Sequence, residues 1–142
     1  MILSRMLHPE LLSVLGRAGH GSRVLIADGN YPVSTHVPTS AVRVFLNLRR
    51  GLVEVADVLD VLGDTVPIEQ AILMATPDGQ PPAIHHRLFK VLPAGVPTRS
   101  LPRDEFYAEV SHPSTALVIA TGEEQRFANV LITIGVVRKD QR

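Results

Sequence analysis

Short apolar runs alternating with segments of helical periodicity constrain this sequence more than any other feature. Arg23 to Ala27 is too short and too β-branched for a helix, and Val42 to Leu46, Gln70 to Ala75, Ala116 to Ala120 and Val130 to Val137 are further short apolar runs. They read as strands, Ala116 to Ala120 most strongly. Pro9 to Ala18 predicts a helix. Pro9 suits its first turn, Glu10 meets the positive end of the dipole, Leu11, Leu12, Val14 and Leu15 form an apolar face, and Gly19 ends it. Leu52 to Leu62 predicts a second helix, whose acidic stripe of Glu54, Asp57, Asp60 and Asp64 reads as a solvated face, with a cation or partner site as the alternative. Pro82 to Leu92 and Pro102 to Ser111 predict two more, bounded by proline-rich turns. Strands separated by helical segments of about ten residues require crossover connections. The expected fold is therefore α/β: a three-layer α/β/α single domain over residues 1–142, with a mainly parallel sheet.

Composition narrows the function classes. With 14 basic and 14 acidic residues the formal net charge is zero, and no basic face is available to neutralise nucleic-acid phosphate. No nucleic-acid partner is expected. The absence of cysteine rules out disulfides, thiolate catalysis and Cys-ligated metal, and suits a reducing compartment. Met1 to Pro9 has no signal-peptide core and no apolar run reaches the length of a membrane span, so the expectation is a cytoplasmic protein without a membrane partner. An apolar chain that stays soluble at zero net charge also suggests an oligomer that hides part of its surface.

Among residues with chemistry, His20 sits between Gly19 and Gly21, ahead of the strand whose carboxyl end carries Asp28. Ligands of α/β folds gather at the carboxyl ends of strands, and an imidazole with a carboxylate can move protons unaided. Each residue also has a plainer reading, His20 as a helix cap and Asp28 as a turn former. A straight extended segment between them spans about 20 Å. Either the loop from Asp28 to Pro38 folds back, or a neighbouring subunit completes the site. His85 and His86 point about 100° apart on a helix, which disfavours a shared metal. The histidines read mostly as surface or capping residues, with His36 in a loop that could reach a ligand. No Walker loop, dinucleotide fingerprint or Gly-x-Ser-x-Gly elbow is present. The segment from Thr121 to Asn129 follows the strongest strand and belongs at the same sheet edge as Asp28. There Phe127 offers an apolar wall and Asn129 a donor and an acceptor, a combination suited to a sugar, although Phe127 as core and Asn129 as a turn residue is the plainer reading.

Gly19-His20-Gly21, the strand ending in Asp28 with Pro32 after it, Arg103 ahead of Phe106-Tyr107, and Thr121-Gly122-Glu123 with Phe127-Ala128-Asn129 together resemble the ribose pyranase/fucose mutarotase (RbsD/FucU) family. The similarity runs from about Leu7 to Val137. It implies an isomerase, a sugar mutarotase that interconverts anomers or ring forms of a free monosaccharide without metal or cofactor. It also implies a homo-oligomer, commonly a decamer of two stacked pentameric rings, with the site at a subunit interface. By position, His20 matches the family's proton donor, and Asp28, Arg103, Phe127, Ala128 and Asn129 match its substrate-binding residues. Arg103 and the stretch Asp28-Gly29-Asn30-Tyr31-Pro32 resemble the L-fucose branch more than the ribose branch. Phe127 departs from the family's Tyr-x-Asn segment and lacks a hydroxyl. A binding module for sugar uptake or sensing, with the same pocket and no catalysis, is the alternative.

Overall fold

In the computed structural model, which describes residues 1–141, the apolar runs assemble into one six-stranded sheet. Arg142, the last residue of the expected domain, lies outside the described residues. The strands are β1 Arg23–Ala27, β2 Val42–Phe45, β3 Ile68–Met74, β4 Thr98–Leu101, β5 Thr115–Ala120 and β6 Val130–Ile134. The helices are α1 Pro9–Arg17, α2 Val55–Gly63, α3 Ala83–Val91 and α4 Arg103–Val110. The sheet order is β2-β5-β1-β6-β3-β4. β6 runs antiparallel to both of its neighbours, and every other pairing is parallel.

Side chains alternate between the two faces with the strand period. Val24, Ile26, Leu117, Ile119, Ala71, Leu73, Val130 and Ile132 face a core closed by Leu11, Val14 and Leu15 of α1, Leu59 and Leu62 of α2, and Ile84 and Leu88 of α3. Leu25, Ala27, Val118, Ile72, Met74 and Leu131 face the other way, against Phe106 and Val110 of α4 and against Tyr31, Val37 and Ala41 of the long loop after β1. The three-layer α/β/α expectation therefore holds, with a loop sharing the second layer. Every apolar residue of β1 from Val24 to Ala27 is fully buried. Each large one contributes about 1.5–3 kcal/mol over an exposed position.

Several boundaries move for local reasons. α2 starts at Val55 rather than Leu52 because the backbone of residues 49–52 closes a turn, Leu52 N–H donating to the Arg49 carbonyl. β6 stops at Ile134, since Gly135 N–H turns to the Pro67 carbonyl and Val136 and Val137 are exposed. The unanticipated strand β4 is an edge strand whose Thr98, Arg99 and Ser100 are exposed. The acidic stripe of α2 meets arginines: Arg5 pairs with Asp60 and Asp64, and Arg87 with Glu54 and Asp57. Exposed pairs of this kind contribute at most about 1 kcal/mol each. As expected, His8 caps a helix, its Nδ1 accepting from Leu11 N–H.

The turn at 49–52 lies directly on Gly122. A Cβ there would fall 2.3 Å from the Arg49 carbonyl oxygen and 2.5 Å from that of Leu52. Backbone atoms cannot yield as side-chain tips do, so Gly122→Ala should lower stability by at least about 1–3 kcal/mol, read from the urea midpoint at unchanged m-value.

Candidate functional site

The site arises where the chain changes direction. After β5 the segment 121–129 passes across the carboxyl end of β1 and enters β6 on its far side. It is stitched to β1 on the way. Thr121 donates from N–H and Oγ1 to the Ala27 carbonyl at 3.1 and 2.7 Å, and Gly29 N–H donates to the Glu123 carbonyl at 2.9 Å. The Glu123 carboxylate is buried beneath the segment, accepting from Gln125 N–H and from Val55 N–H in the first turn of α2. That placement suits a negative charge against the positive end of a helix.

Because β6 is antiparallel to β1, the residue before β6 meets the residue after β1. Asp28 N–H donates to Asn129 Oδ1 at 2.7 Å, and Asn129 Nδ2 donates back to Asp28 Oδ2 at 3.1 Å. Asn30 N–H donates to the remaining Asp28 oxygen at 2.9 Å. Asp28 and Asn129 are 4% and 3% exposed. Burial pushes the Asp28 carboxyl above its ordinary pKa, against the pull of the Asn30, Ala128 and Tyr31 N–H groups, and the Glu123 charge adds a smaller rise.

A cavity of about 320 Å³ opens over this pair, its wall including Asp28, Asn30, Tyr31, Met74, Arg103, Tyr107, Phe127 and Asn129. Arg103 begins α4 and places its guanidinium 6.0 Å from the Phe127 ring centre; Arg126 lies 5.3 Å from it. Phe127 adopts φ 61°, the left-handed region, which costs a side-chain-bearing residue about 1–2 kcal/mol. Tyr31 donates its hydroxyl to the His36 carbonyl, and burial raises its pKa further from neutrality. The His36 ring lies tilted by 45° against Tyr107 at 4.6 Å between ring centres, one residue removed from the cavity wall. A carboxylate, an amide, a guanidinium and two phenols facing an aromatic ring give converging hydrogen-bond partners for a hydroxyl-rich ligand of monosaccharide size.

Of the residues singled out in the sequence, Asp28, Arg103, Phe127 and Asn129 come together on the cavity wall. Ala128 is fully buried and contributes its backbone N–H to Asp28. His20 does not join them within the chain. It precedes β1, at the end opposite Asp28, half exposed, with Nε2 3.0 Å from the Glu69 carboxylate. The loop after β1 does not fold back to it. Two neighbours of these residues went unnoticed in the sequence: Glu69 beside His20, and His85 beside Phe127. The reading of the histidines as mostly surface or capping groups fails for His85, which is 2% exposed and donates from Nε2 to the Phe127 carbonyl at 3.0 Å. Its burial lowers its pKa, with the neighbouring His86 a minor contributor. Its place on the Ile84/Leu88 face of a helix was the available signal. His86, as the 100° spacing required, points to solvent. Among the described residues no group of three or more His, Cys, Asp or Glu is placed to hold a metal ion. No helix among them is long and apolar enough to cross a membrane.

Comparison with known proteins agrees with this architecture. The profile of the RbsD / FucU transport protein family matches residues 1–137. The D-ribose pyranase of Geobacillus kaustophilus is 30% identical over 133 residues, covering 94% of this chain and 93% of its own. Bacillus subtilis RbsD, solved in complex with D-ribose, superposes with a TM-score of 0.83 at 25% identity, covering 97% of this chain and 100% of its own. The fucose mutarotase of Streptococcus pneumoniae, solved in complex with L-fucose, gives 0.75 at 25% identity over 92% and 94% of the two chains.

The burial of Asp28 has a measurable consequence. Carbon-13 NMR titration of its carboxyl should give a midpoint above the ordinary value of about 3.9. A raised folded pKa means that the group's contribution to stability is full below about pH 3.9 and is lost as pH rises through the folded value. Asp28→Asn should therefore gain stability relative to the parent as pH increases from about 4 to 7. A midpoint at or below 3.9 contradicts the desolvation argument.

Proposed function

The chain belongs to the RbsD/FucU family, and from that premise we propose that it is an isomerase: a mutarotase that opens and recloses the ring of a free monosaccharide. The observation that carries this reading is the reciprocal Asp28–Asn129 pair, set in the floor of a cavity walled by Arg103 and Phe127. Residues 1–142 are taken as one domain of the family. The cysteine-free composition supports a cytoplasmic location.

Ring opening removes the proton of the anomeric hydroxyl and delivers one to the ring oxygen. The bond between C1 and that oxygen breaks as C1 becomes a carbonyl carbon, and closure on its other face yields the other anomer. In this reading Asp28, Arg103 and Asn129 hold hydroxyls, Ala128 supports Asp28 through its N–H, and the Phe127 ring packs on the apolar side of the sugar. His20 carries the proton. Its Nε2 faces the Glu69 carboxylate, which accepts that N–H and leaves Nδ1 as the nitrogen that engages substrate. Since uncatalysed mutarotation already proceeds in water, acid/base assistance of about 10²–10⁴-fold suffices.

His20 stands half exposed at the other end of β1 from its own cavity, so the reading requires a second copy to supply it. Phe45, Leu48, Val136 and Val137, all largely exposed, offer apolar surface for such contacts. A homodecamer of two stacked pentamers is the assembly proposed. L-fucose is the preferred substrate: its methyl group suits the wall formed by Phe127 and Met74 beside Arg103. D-ribose is the second reading, favoured by relatives such as the Geobacillus kaustophilus D-ribose pyranase.

Exchange NMR at catalytic protein concentration should show accelerated anomer exchange of L-fucose, with D-ribose slower. His20→Ala should remove the excess exchange while sugar titration and sedimentation show binding and assembly intact. Unchanged exchange in that variant removes His20 from the mechanism. Binding without exchange in the parent protein supports the non-catalytic module instead.

A further inference from the structure

Phe127 is the one non-glycine residue among those described with a positive φ. Such a conformation persists only where the surroundings hold it. Arg103 and Arg126 of the cavity wall lie over its ring, and its backbone carbonyl is engaged from outside the cavity. The Phe127 carbonyl accepts from His85 Nε2, so the imidazole carries its proton on that nitrogen. His85 lies on α3, almost fully buried, with the Phe89 ring edge-on at 6.2 Å between ring centres. It is not part of the cavity wall. The residues that follow the strained turn do the work of the site: Ala128 N–H supports the Asp28 carboxylate, and Asn129 exchanges two hydrogen bonds with Asp28.

We propose that His85 is a positioning residue of the sugar site: its bond to the Phe127 carbonyl locks the turn at residues 127–129 and so aims Phe127 and Asn129 at the bound monosaccharide. The proposal rests on the sugar-site reading above for its effect on binding, while the lock itself is a property of the free protein. A residue that only filled the core would be replaced by another of similar volume with no local effect at Asp28. A lock, by contrast, depends on the donated hydrogen and on the turn's need for it. Glycine enters the left-handed region without steric cost and needs no such hold.

The experiment compares His85→Leu, which fills the space without a donor, with His85→Gln, whose amide reaches as far as Nε2. The pair Phe127→Gly and Phe127→Gly/His85→Leu completes it. In the unliganded protein, amide hydrogen exchange at Asp28 and Ala128 should be about tenfold faster in His85→Leu, as loss of one buried hydrogen bond allows. Exchange at Leu25 and Ile26 should stay as in the parent. In sugar exchange assays with L-fucose and D-ribose, KM should rise about tenfold with kcat within about threefold. His85→Gln should return both readouts to within about threefold of the parent, and in the Phe127→Gly background the Leu substitution should add less than about twofold. Should the Leu variant not fold, His85→Asn, whose shorter amide falls short of the carbonyl, takes its place with the same expectation. Unchanged protection at Asp28 and Ala128, equal loss of protection at Leu25 and Ile26, or no rescue by Gln would each overturn the lock. If the parent binds neither sugar, the functional reading falls and the hydrogen-exchange arm still decides whether His85 holds the turn.

Discussion

The pairing of Asp28 with Asn129 is the interaction on which the rest of the site depends. The two residues are far apart in sequence and adjacent only because β6 enters the sheet against the direction of β1. A parallel β6 would carry Asn129 to the opposite edge of the sheet. The connection from β5 must then cross the end of β1, and in crossing it brings Phe127 and the buried Glu123 over the strand. A single topological reversal thus places a carboxylate, an amide and an aromatic ring together, and α4 adds Arg103 from the other side.

The arrangement concentrates cost where a ligand would bind. Two carboxylates, Asp28 and Glu123, are nearly fully buried within one short stretch, and one aromatic residue sits in left-handed backbone. Each is compensated locally. Backbone N–H groups and Asn129 serve Asp28, the first turn of α2 serves Glu123, and His85 serves the carbonyl of Phe127. Polar groups held this way are already oriented before a ligand arrives, so less ordering is lost on binding. Sites built with such strain and burial commonly give up stability for function, and the dense strands β1 and β5 supply the reserve.

Much of this was legible in the residues themselves. Buried strands announce themselves by composition, which is why β1 and β5 and the convergence of Asp28 with Asn129 could be anticipated. The edge strand β4 could not be. Thr98, Arg99 and Ser100 face water and carry no apolar alternation, and only pairing with β3 makes them a strand. The direction of β6 was equally hidden, because strand direction is set by connections rather than by the strand's own residues. His85 shows the same limit at the site: beside His86 it looks like a polar helix residue, and its role appears only once α3 packs under the turn at Phe127. Solved structures at 25–30% identity share the fold over nearly their whole length, as expected if long-range pairings, rather than any local motif, define it.

In the proposed function the Asp28–Asn129 pair holds a monosaccharide against a histidine donated by another copy. A crystal structure of the assembled protein soaked with L-fucose or D-ribose decides whether it does. The expected electron density puts sugar hydroxyls within hydrogen-bond distance of Asp28 and Asn129, and His20 of an adjoining copy at the ring oxygen or anomeric hydroxyl. A sugar bound elsewhere, or a His20 remote from the sugar in every copy, would contradict it.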